Sequence, residues 1–164
     1  MINIQEKLML RPPQSEDGSS VHRLISQCSP LSTNSMYCNL LQCTHFAGTS
    51  VAAKVDDQLV GFISGYLIPD RENTLFIWQV AVSEKARGQG LATKMLKDIL
   101  ARPQCDKVTH IETTITELNK ASWSLFKGLA EKLKVDIKRS VFFDHVEHFN
   151  RTDDTEMLAR IGPF

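Results

Sequence analysis

The chain has no excess of charge and no long apolar run. Lysine plus arginine and aspartate plus glutamate number 19 each, so the formal net charge is zero. A balanced charge gives no general attraction to nucleic acid or to an anionic membrane. No apolar run approaches the roughly 20 residues that a membrane span needs, and the N-terminal stretch does not resemble a secretory signal. We therefore expect a cytoplasmic protein that binds neither nucleic acids nor membranes.

Cysteine is sparse, and its spacing favours neither disulfides nor a metal site. The chain has four cysteines and none forms a C-x-x-C pair. Cys38 and Cys43 lie near His45, but this spacing is not one that zinc sites use. We expect reduced thiols and no bound metal.

What is present is the composition of one globular domain, predicted to span residues 1–164. Of these residues 42% are hydrophobic and 23% are charged. Apolar periodicity predicts the order β-α-α-β-β-β-α-β-α-β-β, which indicates an α/β domain with a mixed central sheet flanked by helices. The predicted strands cover residues 7–11, 50–55, 59–67, 74–82, 108–114, 137–143 and 156–161, and the predicted helices cover 18–28, 35–47, 88–100 and 119–133.

The segment after the fourth predicted strand carries the strongest chemical signal. That strand is almost wholly apolar, which predicts a central strand covered on both faces, and it ends at Val82. Gly88 and Gly90 follow, and then an amphipathic helix begins. Glycines let a backbone approach a ligand closely, and the free N–H groups of a helix start bind phosphate. An ordinary strand-to-helix turn would look the same, but Arg87 adds a cation, so we interpret the segment as an anion site.

This loop resembles that of the GNAT N-acetyltransferases. The run Arg87-Gly88-Gln89-Gly90-Leu91-Ala92 matches their [QR]-x-x-G-x-[GA] pattern, and the order of elements is similar throughout. The resemblance implies acetyl-CoA as cosubstrate, with the pyrophosphate held by this run and Thr93. It also implies that Val80-Ala81-Val82 pairs with the pantetheine arm and donates an N–H to the thioester carbonyl, and that Asn119 contacts CoA. Many members have a tyrosine as acid where this chain has Phe126.

Longer stretches resemble the branch of that family that acetylates L-2,4-diaminobutyrate in ectoine biosynthesis. The resemblance implies transfer of acetyl to the 4-amino group, and a homodimer. Three positions depart from the branch: Ser32 stands in place of an aspartate, Asp153 in place of a histidine and Ala159 in place of an aromatic residue. The stretches are residues 31–46, 60–66, 74–82, 110–116 and 154–162.

An amine with a pKa near 10 must lose a proton before it attacks a thioester, so the site needs a base and groups that bind the amine and carboxylate. The candidate catalytic residues are Tyr37, Glu112 and Glu156. The candidate substrate-binding residues are Ser32, Asn34, Ser35, Tyr37, Trp78, Thr114, Asp153 and Glu156. Several have ordinary structural alternatives: Asn34 or Ser35 as a helix cap, Trp78 as a core residue and Tyr37 as a half-buried helix residue.

We expect direct attack in a ternary complex, because none of the cysteines has a recognisable base partner. Two alternatives remain open. The protein could acetylate another small diamine or amino acid, which Ser32 and Asp153 would allow, or it could bind acyl-CoA without catalysis, which Phe126 would allow.

Overall fold

The computed structural model describes all 164 residues and contains seven strands and four α-helices. None of the helices is long and apolar enough to cross a membrane. Three-residue 3-10 turns lie at Ser15–Asp17, Ala47–Thr49, Glu84–Ala86 and Pro103–Cys105. The strands are β1 (Leu8–Arg11), β2 (Val51–Val55), β3 (Gln58–Ile68), β4 (Arg71–Val82), β5 (His110–Thr116), β6 (Ile137–Phe143) and β7 (Glu156–Ile161); the helices are α1 (Gly18–Ser26), α2 (Met36–Thr44), α3 (Leu91–Leu100) and α4 (Lys120–Leu133).

The strands follow the order β1-β2-β3-β4-β5-β7-β6. The pairs β1–β2, β2–β3, β5–β7 and β6–β7 are antiparallel. The neighbours β4 and β5 are joined through α3, which is how parallel neighbours are connected. The predicted α/β class with a mixed sheet is therefore confirmed, while a single domain over residues 1–164 stays a prediction.

The chain forms two compact units, of which the first comprises Met1–Leu67 and Ile77–Lys107. Its core packs α1 and α2 residues such as Ile25 and Cys43 against Phe62 of β3 and Ala81 of β4. On β3, a Cβ at Gly61 would lie 2.9 Å from the Met95 side chain and 3.1 Å from that of Leu91. The absence of a side chain at Gly61 therefore lets α3 approach β3 closely.

The second unit comprises Ile68–Phe76 and Val108–Phe164. In its sheet β7 lies between β5 and β6, so that Ile161 is opposite both Ile111 and Ile137. Helix α4 buries Trp123, Phe126, Leu129 and Ala130. The indole N–H of Trp123 donates to the Thr116 carbonyl at 3.1 Å, which ties the start of α4 to the end of β5.

Three predicted features need correction. Helix α3 begins at Leu91 instead of Gly88, because Gly88 and Gly90 have φ values of 77° and 74° that no α-helix contains. Strand β4 begins at Arg71, so the turn before it is shorter than predicted. The prediction that β4 is covered on both faces is wrong, since Trp78 is 42% exposed and Val80 and Val82 are only partly buried.

Candidate active site

The loop between β4 and α3 has the backbone form of an anion site. Gly90 is the N-cap of α3 in the left-handed conformation, and Gly88 also has a positive φ. A Cβ built on either glycine would meet nothing within 4 Å, so the space beside the loop is open. The ten-residue helix α3 presents unpaired N–H groups and the positive end of its dipole at this point. The loop can therefore accept a phosphate group.

The side chain of Gln89 holds this loop against the N-terminal segment. Its Oε1 accepts from the Ile4 N–H at 3.2 Å, and its Nε2 donates to the Ile2 carbonyl at 2.7 Å. The amide side chain is thus engaged within the protein, and the backbone of Gln89 is the part that remains for a ligand. No pattern in the sequence signals this contact, because its partners lie 85 and 87 residues away.

The end of β4 leads directly into the loop. Ala81 is fully buried, whereas Val80 and Val82 are half-buried. The Val82 carbonyl accepts from Arg87 Nε at 3.1 Å and from the Cys28 thiol at 3.4 Å. Arg87 therefore closes the turn from strand to loop with one guanidinium N–H.

The segment between α1 and α2 carries three predicted substrate residues, and the first turn of α2 carries a fourth. Ser35 is the N-cap of α2, because its Oγ accepts from the Cys38 N–H at 3.1 Å. The Ser32 carbonyl and the Asn34 side chain both contact Gln79 of β4 at 2.8 Å. Tyr37 is 70% exposed at the start of α2, so it is not the half-buried residue that its structural alternative supposed.

Trp78 lies beside an aromatic residue that sequence reasoning did not select. The ring of Tyr66 is edge-on to Trp78, with centroids 6.2 Å apart, and it also contacts Phe46. Burial raises the pKa of the Tyr66 hydroxyl. Together Trp78 and Tyr66 give the first unit an aromatic wall of the kind that stacks against cations.

In the second unit, Glu112 is a buried carboxylate with two cationic partners. Glu112 is 2% exposed, and its two oxygens accept from Arg71 at 2.8 and 3.1 Å. Arg160, directly opposite on β7, also donates to Glu112 Oε2. Burial by itself would raise the pKa of Glu112, but the hydrogen bonds from Arg71 and Arg160 outweigh it and the pKa is lowered. A carboxylate held in this way is a weak base.

Glu156, at the start of β7, has a raised pKa, in contrast to Glu112. Burial raises its pKa, the Thr114 hydroxyl opposes this with a hydrogen bond, and the charges of Asp153 and Asp154 raise it further. Two of the predicted residues, Thr114 and Asp153, therefore both interact with a third, Glu156. A cleft of about 420 Å³ lies nearby in the same unit, lined by Thr116, Glu117, Leu118, His145, Asp154 and Thr155.

Asn119 is the N-cap of α4, where its Oδ1 accepts from the Ser122 N–H at 3.2 Å. Phe126, in place of the tyrosine found in many GNAT enzymes, is 2% exposed and is a core residue here.

No group of three or more His, Cys, Asp or Glu side chains is arranged to hold a metal ion.

The fold and the glycine loop define the class of this protein. Residues 19–130 match the acetyltransferase (GNAT) family, and the chain belongs to that family.

Within the family, the chain is similar to L-2,4-diaminobutyric acid acetyltransferases. The enzyme of that name from Methylotuvimicrobium alcaliphilum is 62% identical over 157 residues, which cover 96% of this chain and 91% of that protein. The enzyme from Vibrio cholerae is 50% identical over 153 residues, covering 93% and 88%. A solved structure of the Paenibacillus lautus diaminobutyrate acetyltransferase, in complex with L-2,4-diaminobutyric acid and coenzyme A, superposes with a TM-score of 0.91 at 36% identity and covers 96% of this chain and 95% of its own.

Proposed function

We propose that this protein transfers acetyl from acetyl-CoA to the 4-amino group of L-2,4-diaminobutyrate, which gives the N4-acetyl precursor of ectoine. The observation that carries the proposal is the 62% identity with a diaminobutyric acid acetyltransferase over nearly the whole of both chains. The open glycine loop at the start of α3 supports it, since coenzyme A needs an anion site of this form.

For the cosubstrate we propose the predicted residues of two segments, together with Asn119. The backbone from Arg87 to Thr93 would hold the pyrophosphate, and the strand segment Val80-Ala81-Val82, in which the two valines are half-buried, would bind the pantetheine arm. Acetyl-CoA would supply an activated acyl thioester, and the backbone N–H groups of this strand would stabilise the negative charge that develops on its carbonyl.

For proton transfer we propose Glu156 as the base that receives the proton of the attacking amine. Its raised pKa matches this role better than that of Glu112, because a stronger conjugate base accepts a proton more readily. For Glu112, which the sequence predicted as catalytic, we propose instead that it anchors Arg71 and Arg160.

For the substrate we propose roles for the predicted residues of each unit, taken separately. Trp78 would stack on an ammonium group, and Thr114 and Asp153 would act beside Glu156. Tyr37, which is exposed, is retained as a hydroxyl donor. Ser32, Asn34 and Ser35 would shape the site through the segment before α2.

A direct transfer without an acetyl-enzyme is favoured by the state of the thiols. Burial raises the pKa of Cys43 to about 12 and also raises the pKa values of Cys38 and Cys105. A thiol must be ionised to act as a nucleophile, so these cysteines are unreactive at neutral pH. All four cysteines are free thiols, which also fits the proposed cytoplasmic location.

We further propose that the protein is a homodimer that pairs through β6. This terminal strand exposes Val141, Phe142 and Phe143 by 58%, 40% and 41%. Natural edge strands usually avoid such apolar exposure. Basic residues lie in its first half, at Lys138 and Arg139, and acidic residues follow it, at Asp144 and Glu147. In a two-fold antiparallel pair the basic half of each strand faces the acidic end of the other.

The function is tested by coenzyme A release from acetyl-CoA with a panel of amines: 2,4-diaminobutyrate, ornithine, lysine, diaminopropane and a blank. NMR then assigns the acetylated nitrogen. We expect preference for 2,4-diaminobutyrate with acetyl on N4. Release only with another amine would contradict the proposed substrate and would direct attention to Ser32 and Asp153, two of the positions that depart from the pattern of the resembled branch. Binding of coenzyme A without release on any amine would contradict catalysis altogether.

A further inference from the structure

Gln79 on β4 is a buried amide with both ends of its side chain in use. It is 8% exposed and lies between Trp78 and Val80 in sequence. Its Nε2 donates to the Ser32 carbonyl at 2.8 Å, and its Oε1 accepts from Asn34 Nδ2 at 2.8 Å. Its backbone N–H donates to the Ser64 hydroxyl at 3.2 Å, so neighbouring β3 also holds it. Gln79 therefore ties the segment before α2 to β4 by two direct hydrogen bonds.

The donor and the acceptor of each hydrogen bond in this series follow from the first contact. A carbonyl oxygen only accepts, so the Ser32 contact requires Nε2 of Gln79 and leaves Oε1 for Asn34. Asn34 Nδ2 also lies 3.4 Å from Asn39 Oδ1, and this leaves Asn39 Nδ2 as the donor to His22 Nδ1 at 2.8 Å. In this arrangement His22 Nδ1 is the acceptor of the hydrogen bond from Asn39. One arrangement of amides thus runs from α1 through α2 and the segment before it to β4.

We propose that Gln79 is a positioning residue of the amine site, which sets the segment from Ser32 to Ser35 against the strand that binds the cosubstrate. This inference rests on the proposed function, because it takes that segment to be part of the amine site. Ser32 and Asn34, two of the predicted substrate residues, are the two partners of the Gln79 side chain. Val80, the first residue of the proposed pantetheine strand, is the next residue after Gln79.

No other side chain of similar size satisfies both partners. Glutamate keeps an acceptor for Asn34, but it places a carboxylate oxygen against the Ser32 carbonyl and loses the donor. Methionine fills the volume and removes both hydrogen bonds, which leaves the polar groups of Ser32 and Asn34 to find water or other partners. Both substitutions should therefore release the segment without opening a cavity in the core.

The test compares Gln79→Met and Gln79→Glu with a matched control, Gln42→Met. Gln42 is a fully buried glutamine of α2, its Oε1 has no hydrogen-bond partner, and its Nε2 donates to the Cys38 sulfur within the same helix. In both Gln79 variants we expect the KM for the amine to rise about 10-fold. Gln79→Met loses two buried hydrogen bonds, and Gln79→Glu loses the one to Ser32 and sets a carboxylate oxygen against that carbonyl. The KM for acetyl-CoA should stay within about twofold. The control should match the wild type in both constants.

A second measurement does not depend on activity. The Leu31 N–H donates to the Cys28 carbonyl, and the Cys38 N–H donates to Ser35 Oγ, so these two bonds flank the segment. Hydrogen exchange at both amides should be about 10-fold faster in Gln79→Met than in the wild type or in Gln42→Met.

Unchanged hydrogen exchange at the two amides would show that Gln79 does not hold the segment against β4. Faster exchange with an unchanged amine KM would overturn the positioning role. If the wild type does not acetylate 2,4-diaminobutyrate, the proposed substrate is wrong, and this result does not bear on the role of Gln79. The KM comparison is then made with the amine that the panel identifies.

Discussion

At the scale of single residues, Glu112 is a buried carboxylate of the second unit that pairs with two arginines. The variant Glu112→Gln removes the charge that Arg71 and Arg160 share, and both guanidiniums lose a buried partner. We expect the free energy of unfolding at pH 7 to fall by about 3 kcal/mol, as measured by urea denaturation. The control is Glu72→Gln, on the exposed residue beside Arg71, which should unfold like the wild type.

The pH dependence of that difference is a sharper check. Because the pKa of Glu112 is lowered in the folded state, its contribution is complete above the unfolded value of about 4.3 and is lost as pH falls through the folded-state pKa. The gap between wild type and Glu112→Gln should therefore narrow when unfolding is repeated in acid. A gap that stays constant from neutral to acidic pH would mean that the carboxylate charge does not stabilise the fold.

The second prediction at this scale concerns Glu156, whose pKa is raised. A base must be ionised to accept a proton, so kcat/KM should fall as pH drops below this raised pKa, and the acidic limb should lie above pH 4.5. In Glu156→Gln we expect a loss of about 10²-fold or more in kcat and no limb from this group. Initial rates across the pH range measure both. The control is Glu131→Gln, on an exposed residue of α4. Near-normal rates in Glu156→Gln would exclude Glu156 as the base.

At the scale of elements, the glycine loop between β4 and α3 allows a direct test of the proposed coenzyme A site. Gly90→Val forces a β-branched residue into a left-handed conformation at the N-cap of α3, although no neighbour lies within 4 Å of the new Cβ. The fold should survive because nothing clashes, but the loop must shift and the side chain enters the space proposed for phosphate. We expect the dissociation constant for coenzyme A to rise more than about 10-fold by calorimetry.

Gly128→Val is the matched control for that experiment. Gly128 lies inside α4, a Cβ there also meets nothing within 4 Å, and its φ is not positive. It should bind coenzyme A like the wild type. If Gly90→Val did so too, the loop would not be the anion site.

The elements show which features a sequence can predict. Strands β6 and β7 have the predicted bounds, because their turn-rich flanks and β-forming residues act locally. The start of α3 was predicted three residues early, because apolar spacing does not report a positive φ. The partners of Glu112 were missed for another reason: Arg71 and Arg160 are 41 and 48 residues away, and such contacts leave no periodic pattern. The Gln79 contacts, 45 and 47 residues long, were missed in the same way.

At the scale of the whole molecule, the proposed dimer makes β6 the edge that must be covered. We expect the wild type to have twice the 18.5 kDa mass of the chain by light scattering at micromolar concentration. Val141→Glu should give the mass of a single chain, because Val141 lies near the middle of β6, where a two-fold axis would bring the two new carboxylates together. The matched control is Met9→Glu, which places the same charge at an exposed apolar residue of β1, the other terminal strand.

The outcomes separate the state of assembly from its location. A single-chain mass in the wild type would contradict the dimer, and a dimer that persists in Val141→Glu would contradict the β6 edge. Salt adds an independent check, because an interface that sets Lys138 and Arg139 against Asp144 and Glu147 is weakened as charges are screened. The dimer dissociation constant should therefore rise between low and high salt in the wild type. It should rise less in Lys138→Gln, which has one fewer charge per chain at that interface. An equal rise in the two proteins would mean that Lys138 takes no part in the interface, and no rise in either would mean that apolar contacts alone hold the dimer.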